Sequence, residues 1–327
     1  MKPRIVVTEP LPLIDKELEI LSTYSDVSVL NSVNEDVIAE AARHADIIMV
    51  VYAKITRKII ENAVRLKGIV RYGIGIDNID IKAASERNVM VVNVPDYGIK
   101  SVADHTMALI LTLVRKILAW DKYTRERKYS GRWTAPPMEL IGIELADKML
   151  GLIGFGKIGR EVAKRARAFD MKILVYDPYI PKDIGIEWNV RLVELDELLK
   201  ESDFVSIHCP LTKETYHLIN EDKLRVMKKT AYLINTARGP IVDEKALYKA
   251  LKERWIAGAA LDVFEYEPLP SDSPLFELDN IIMTPHIAWF TEEALKRLEF
   301  TACEEAIRIL KGETPRNLVN REILSRK

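Results

Sequence analysis

Three hundred and twenty-seven residues are enough for about two domains at a typical ~100–200 residues each, and 48% hydrophobic residues describe an ordered globular chain. With 48 Lys+Arg against 49 Asp+Glu the formal net charge is −1, so no global field draws in nucleic acid or an anionic membrane. The opening MKPRIVVTEP is not a secretory signal, the longest apolar runs (IIMVVYA, MALILTLV) are too short to span a bilayer, and two cysteines build neither a disulfide scaffold nor a thiolate metal site, which points to a cytoplasmic, metal-free protein.

Apolar β-branched runs alternate with helical patterns from end to end, the pattern of an α/β protein with parallel sheets. Strands are predicted at Arg4–Thr8, Val27–Leu30, Asp46–Val51, Gly68–Tyr72 and Val89–Asn93, with helices such as Val37–Arg43 and Thr56–Leu66 between them. A long helix is expected from Val102 to about Trp120, with Ser101 as its cap and Asp104 in its first turn. KYTRERKYSGRWTAPPMEL then breaks the rhythm as an arm or loop, whose Trp133 and tyrosines would pack on a partner subunit or back on their own domain. A second series of strands follows at Met149–Ile153, Lys172–Tyr176, Phe204–His208, Ala231–Asn235, Gly258–Val263 and Ile281–Thr284. Helices fit at Gly159–Phe169, Leu195–Ser202, Asn220–Met227 and Glu244–Glu253, and a last one at about Thr291 to Lys311.

The most informative stretch is KMLGLIGFGKIGREVAKRARAFDMKILVYDPY. Gly154-x-Gly156-x-x-Gly159 follows a strand and opens a helix, and Asp177 ends the next strand 18 residues beyond Gly159. Gly154 permits the tight turn, Gly156 lets a pyrophosphate approach the backbone, and Gly159 lets helix and strand pack closely. The helix N-terminus offers N–H groups and partial positive charge to the phosphates. Asp177 would accept hydrogen bonds from the adenosine ribose and repel a 2′-phosphate, and Pro178 and Tyr179 add no cation, so NAD(H) is favoured over NADP(H).

Three later segments each place a polar residue at the C-terminal end of a predicted strand, the edge where ligands bind in open α/β sheets. INTARGPIVDEKAL presents Arg238, ALDVFEYEPLP presents Asp262 and Glu267, and IIMTPHIAWFTEEA presents His286. Beside a nicotinamide this set suits hydride transfer to a 2-oxo acid. Arg238 would hold the substrate carboxylate and polarise its carbonyl. His286 would protonate the carbonyl oxygen and remove that proton in reverse. Glu267 would orient the imidazole and favour its protonated form. Taken singly, each residue also fits an ordinary ion pair, loop cap or turn; only their joint occurrence after a dinucleotide fingerprint points to catalysis.

On these segments, together with RYGIGIDNID, NVPDYGIKSVADHTMALIL and SIHCPLTKETYHLI, the chain resembles the D-isomer-specific 2-hydroxyacid dehydrogenases over nearly its whole length. The resemblance implies a catalytic Arg238, Glu267 and His286. It implies cofactor contacts from Lys157, Ile158, Asp177, His208, Cys209, Pro210, Thr215, Thr236, Ala237, Arg238, Asp262 and His286, besides the glycine turn. In RYGIGIDNID it implies substrate carboxylate binding by the backbone N–H groups of Ile74 and Gly75, beside Tyr72 and Gly73. It also implies two Rossmann-like or flavodoxin-like parallel-sheet domains. Residues 1–98 and 290–327 form the substrate-binding domain and 99–289 the NAD-binding domain inserted into it, with crossings near Pro95–Ser101 and Ile287–Trp289 and a cleft that closes on substrate. A homodimer built through the dinucleotide domains, with the Trp120–Trp133 region contributing, completes what the family implies.

Asp104 and Trp289, with YDPY and SDSPL, look more like the branch of C-terminal-binding proteins and their prokaryotic dehydrogenase relatives. Trp289 either offers apolar surface to a substrate side chain, favouring a 2-oxo acid with an apolar tail over glyoxylate, or packs at the domain hinge. Glyoxylate or hydroxypyruvate reduction and phosphoglycerate oxidation are alternatives within the family, Lys54 and Arg71 being candidate phosphate contacts; the end at Lys327 leaves no room for the regulatory domain of longer phosphoglycerate dehydrogenases. The alternative from another class is an NADH-sensing, partner-binding protein like the C-terminal-binding corepressors. Formate dehydrogenase is disfavoured, since that relative has glutamine where Glu267 stands. Glutamine is absent and Glu, Lys and Arg are plentiful, a bias of heat-adapted proteins.

Overall fold

Short runs of β-branched and other apolar residues pair into two sheets, every strand parallel to its neighbours. The computed structural model describes residues 2–12, 14–128 and 135–326, and these fall into two units, Met1–Gly98 with Phe290–Lys327, and Ile99–Trp289. Trp133 lies outside the described residues.

The first unit runs β1 (Arg4–Val7), α1 (Ile14–Tyr24), β2 (Asp26–Val29), α2 (Glu35–Ala42), β3 (Ile47–Val50), α3 (Arg57–Asn62), β4 (Gly68–Arg71), α4 (Ile81–Glu86) and β5 (Met90–Val92). Its sheet has the order β2-β1-β3-β4-β5. The second unit opens with α5 (Ile99–Arg115) and α6 (Ile117–Arg125). It continues with β6 (Met149–Ile153), α7 (Lys157–Arg167), β7 (Lys172–Tyr176), α8 (Ile184–Glu187), β8 (Arg191–Leu192), α9 (Leu195–Glu201) and β9 (Phe204–Ile207). Then come α10 (Glu221–Val226), β10 (Tyr232–Asn235), α11 (Glu244–Lys252), β11 (Gly258–Leu261) and β12 (Ile281–Met283), in a sheet ordered β12-β11-β10-β9-β6-β7-β8. Last, α12 (Glu292–Leu310) returns to the first unit, where it packs on α1 and β4.

All four residues of β3, β9, β10 and β11 are buried, as central strands covered by helices on both faces require. Alternate residues feed two cores: Val205, Ile207 and Leu233 pack with Leu198, Leu247 and Leu251, whereas Phe204, Tyr232 and Ile234 pack with Ile110 and Leu113 of α5. Each fully buried aliphatic side chain contributes about 1.5–3 kcal/mol relative to exposure. Helix starts follow the capping chemistry: Asn34 accepts from Asp36 N and Val37 N, and Asn220, Asp243 and Thr291 cap α10, α11 and α12. Among the described residues no helix is long and apolar enough to cross a membrane.

The helix expected from Val102 to Trp120 differs in two respects. It begins at Ile99, so Ser101 is a buried helical residue and not its cap, while Asp104 pairs with Arg165 of α7 at 2.5 Å. It also breaks at Lys116, which adopts a left-handed φ of 54° and restarts the chain as α6. No residue of α6 is buried, and Ile117 and Leu118 are 51% and 60% exposed.

Each sheet reverses its order once, opening a crevice beyond the carboxyl ends of two strands. In the second unit that point lies between β6 and β9, and in the first between β1 and β3. In the first unit Glu9 fills it: its carboxylate accepts from Val51 N (3.2 Å), Tyr52 N (3.0 Å) and Ala53 N (2.5 Å), and from the Thr8 hydroxyl. Nearby, Tyr72 at the end of β4 donates its hydroxyl to Glu17 Oε1 at 2.7 Å, and both side chains are buried.

Candidate active site

The crevice between β6 and β9 is shaped by glycine. Gly154 has φ +94°, and a Cβ there would lie 2.7 Å from Cys209 N. A Cβ on Gly159 would lie 2.5 Å from the Gly154 carbonyl oxygen, so the first turn of α7 sits directly on the strand end. Gly156, the N-cap of α7, has nothing within 4 Å of its Cβ position, and no side chain caps that helix. The anion-binding end of α7 thus faces open space with Lys157 and Ile158 as its first residues. Asp177, at the end of β7, is fixed by Phe155 N on one carboxylate oxygen (2.8 Å) and by Tyr179 N on the other (3.0 Å). This open turn, uncapped helix and tethered carboxylate fit the diphosphate and ribose of a dinucleotide.

After β9, His208 places its Nε2 2.9 Å from Ser206 Oγ, and burial pushes its imidazole down to about 3, so it is neutral. Burial pushes the Cys209 thiol up to about 11. Thr215 Oγ1 donates to Pro210 O at 2.7 Å and accepts from Thr212 N at 2.7 Å, so Thr215 shapes the 210–215 turn. After β10, the Thr236 hydroxyl is buried 3.0 Å from that of Thr106. Asn235, which sequence reasoning did not single out, fastens the turn that presents Arg238: its Oδ1 accepts from Ala237 N (3.0 Å) and its Nδ2 donates to Arg238 O (2.9 Å). Its signal is an Asn at a strand end two residues before a turn amide, the geometry of an Asx turn. At Gly239 a Cβ would fall 1.8 Å from the Phe264 carbonyl oxygen, so the Arg238 loop and the Phe264–Glu267 loop touch backbone to backbone.

Glu267 and His286 are brought together: Glu267 Oε2 lies 2.6 Å from His286 Nδ1, and Glu267 Oε1 accepts from Phe264 N at 3.0 Å. Burial alone would raise the Glu267 carboxyl, but the His286 bond and charge, the Phe264 N–H and the Arg238 charge hold it below the usual range. Among the described residues the other ring nitrogen of His286, Nε2, has no hydrogen-bond partner. His286 has φ +55° and is held there by its N–H on Asp262 O at 2.7 Å.

The Asp262 side chain is buried, and its oxygens accept from Thr284 Oγ1 (2.5 Å), Ile287 N (3.0 Å) and Ala288 N (2.8 Å). It anchors the loop that carries His286, because a buried carboxylate gathers donors wherever the chain offers them. Trp289 donates its indole N–H to His286 O at 3.0 Å. In the first unit, the turn after β4 holds Ile74 and Gly75 half-buried, with Ile74 O receiving Asn93 Nδ2 at 2.7 Å. Among the described residues neither the Ile74 nor the Gly75 amide has an acceptor.

Residues 107–288 match the family model described as D-isomer specific 2-hydroxyacid dehydrogenase, NAD binding domain. The chain is 42% identical over 328 residues to a glyoxylate reductase of Korarchaeum cryptofilum, covering 99% of this chain and 98% of that protein. It is similar to D-lactate dehydrogenase of Aquifex aeolicus, solved with NAD and lactic acid, at 34% identity and TM-score 0.84, covering 95% of this chain and 96% of that one. An acyclic imino acid reductase (Bsp5), solved with NADPH and D-Arg, superposes with TM-score 0.87 at 32% identity, covering 97% of this chain and 99% of that one.

Proposed function

The chain belongs to the D-isomer specific 2-hydroxyacid dehydrogenase family, oxidoreductases of the CH–OH group of 2-hydroxy acids, and from that premise we propose that it is an NADH-dependent reductase of small 2-oxo acids. The observation that carries this reading is the His286–Glu267 pair, one ring nitrogen on a carboxylate at 2.6 Å and the other left for a substrate oxygen. The Gly154–Gly159 turn and Asp177 would hold a nicotinamide dinucleotide, which would supply the hydride. His286 Nε2 delivers a proton to the carbonyl oxygen, and Glu267 keeps the ring oriented and balances the positive charge of the protonated imidazole. The Arg238 guanidinium grips the carboxylate and polarises the carbonyl; in the first unit the amides of Ile74 and Gly75 are backbone donors suited to a carboxylate.

NADH over NADPH is supported by Asp177, whose fixed carboxylate meets the adenosine ribose and would repel a 2′-phosphate. Trp289, tied to the His286 carbonyl, supports substrates with an apolar side chain beyond glyoxylate. A homodimer is supported by α6, which buries none of its residues, and by Met138 and Ile141, 73% and 64% exposed in the same unit.

The test is NADH and NADPH oxidation with glyoxylate, pyruvate, hydroxypyruvate, 3-phosphohydroxypyruvate and 4-methyl-2-oxopentanoate. NADH should be preferred, and the apolar acid should match or exceed glyoxylate in kcat/KM. A clear advantage for glyoxylate removes the role given to Trp289; tight NADH binding with negligible turnover on every acid would instead mark a nucleotide sensor. His286→Asn should lower kcat by roughly 10²-fold or more, the size of a general acid–base contribution.

A further inference from the structure

The segments that carry Arg238 and Glu267 meet where Gly239 abuts the Phe264 carbonyl; Arg238 precedes a single 3-10 turn (Gly239–Ile241), and residues 264–267 form a loop. Something must fix them, because a misplacement of about 1 Å at such groups costs up to ~10²-fold in rate. Next to that contact is Glu265, whose side chain is 16% exposed and bonded on both oxygens. Oε1 lies 3.0 Å from His217 Nε2, and Oε2 accepts from Glu244 N at 3.4 Å. Glu244 returns the bond, its Oε2 accepting from Glu265 N at 3.1 Å. The residue ahead of Glu244, Asp243, lies 4.0 Å from the other nitrogen of His217.

His217 also grips the Arg238 side through its backbone. Its N–H donates to Pro240 O at 2.9 Å, and Ile219 N and Asp243 N continue the ladder with Ile241 O and Ile219 O. The residue holds φ +50°, a left-handed conformation that a non-glycine residue keeps only where its surroundings over-determine it. The Tyr216 ring stacks on the imidazole at 4.0 Å. Three segments are therefore stitched together: the turn at 217, the stretch 239–244 that follows Arg238, and the loop 264–267 that ends in Glu267.

We propose that His217, Glu265 and Glu244 form a clasp that positions Arg238 and Glu267 for reduction of the 2-oxo acid, His217 and Glu265 being its essential pair. None of the three touches the reacting atoms; they act through the backbone contact of Gly239 with Phe264. This rests on the dehydrogenase reading given above.

The experiment compares His217→Ala, His217→Gln and Glu265→Ala in the full chain, using NADH and the acid that the substrate screen ranks first. His217→Ala should lower kcat about tenfold while KM for the acid and Kd for NADH stay within about twofold, as expected when geometry is lost only in the transition state. His217→Gln, which can still present an N–H to Glu265, should recover most of that loss. The double Ala variant should be no slower than the worse single one, because both remove the same bond. A His217→Ala enzyme with wild-type kcat overturns the proposal, as does a loss in which kcat, NADH affinity and Tm fall together and glutamine restores nothing. Wild-type turnover alongside an indifferent His217→Ala defeats the clasp alone, whereas a wild-type chain inert towards every acid defeats the dehydrogenase reading and the clasp with it.

Discussion

The two sheets solve the same topological problem and treat their crevices in opposite ways. Between β6 and β9 the chain places glycines, leaves the space at the Gly156 Cβ position open and leaves α7 uncapped by any side chain. Between β1 and β3 it places Glu9, whose carboxylate occupies the amides of Val51, Tyr52 and Ala53 much as a bound anion would. A switch point is a crevice where ligands bind in such sheets, and in the first unit a carboxylate of the chain itself takes the amides there. Another of the buried carboxyls of the first unit, Glu17, receives among the described residues only the Tyr72 hydroxyl and leaves Oε2 without a partner. Burial first, with the Glu299 charge adding and the Tyr72 bond opposing, lifts Glu17 to about 8. Glu9 is satisfied by many donors and Glu17 by one, so the first unit contains both an organising carboxylate and a costly one.

Glu9→Ala should show the largest effect. It leaves three amides without their acceptor, two of them buried, each unsatisfied buried donor costing about 1–3 kcal/mol, so a loss of about 2 kcal/mol or more is expected in urea unfolding. Sulfate or phosphate should restore more stability to this variant than to wild type; an equal salt response would break the comparison.

Glu17→Gln comes next and concerns slope. Because the folded-state value of about 8 lies above the ordinary 4.5, the stability Glu17 contributes is complete below pH 4.5 and is lost as pH rises to 8. The wild type should lose up to about 1.4 kcal/mol per pH unit relative to the glutamine variant across that window. Parallel stability curves for the two proteins would show that Glu17 does not titrate there.

Gly156→Ala should have the smallest effect on the fold, within about 1 kcal/mol, since the new methyl group meets nothing and only the N-cap preference changes. Its effect should be on the ligand, with NADH affinity roughly tenfold weaker (about 1.4 kcal/mol) by fluorescence titration. Unchanged affinity would mean that the open crevice is not where the diphosphate sits.

Much of the fold was legible because parallel strands buried on both faces leave continuous apolar runs: IIMV, FVSI and YLIN stand out in any window. Helix α1 left a weaker trace because its buried face reads Ile14, Glu17, Leu21, with a carboxyl where a third apolar side chain belongs. Strand β8 is two residues long and unburied, below any periodic signal. The pairing of Glu267 with His286 was readable because both stand in ordered motifs at strand ends. The inward turn of Asp262 was not, since its donors Thr284, Ile287 and Ala288 lie 22 to 26 positions away and only folding delivers them. The linkage of His217 with Glu265 was hidden for the same reason, at a separation of 48.

Lys116 has one further consequence. An unbroken α-helix would advance each later residue by about 100° around one axis, carrying the side chains after 116 along the same face as those before it. A single left-handed residue ends that progression, so the direction in which Ile117 and Leu118 look is set by the handedness of one peptide unit and not by their own chemistry. A glycine or asparagine would keep that corner with little cost, whereas valine or isoleucine would press towards a straight rod. The oily surface of this unit could therefore be re-aimed within a lineage by altering one lysine, with no change to the oily residues themselves.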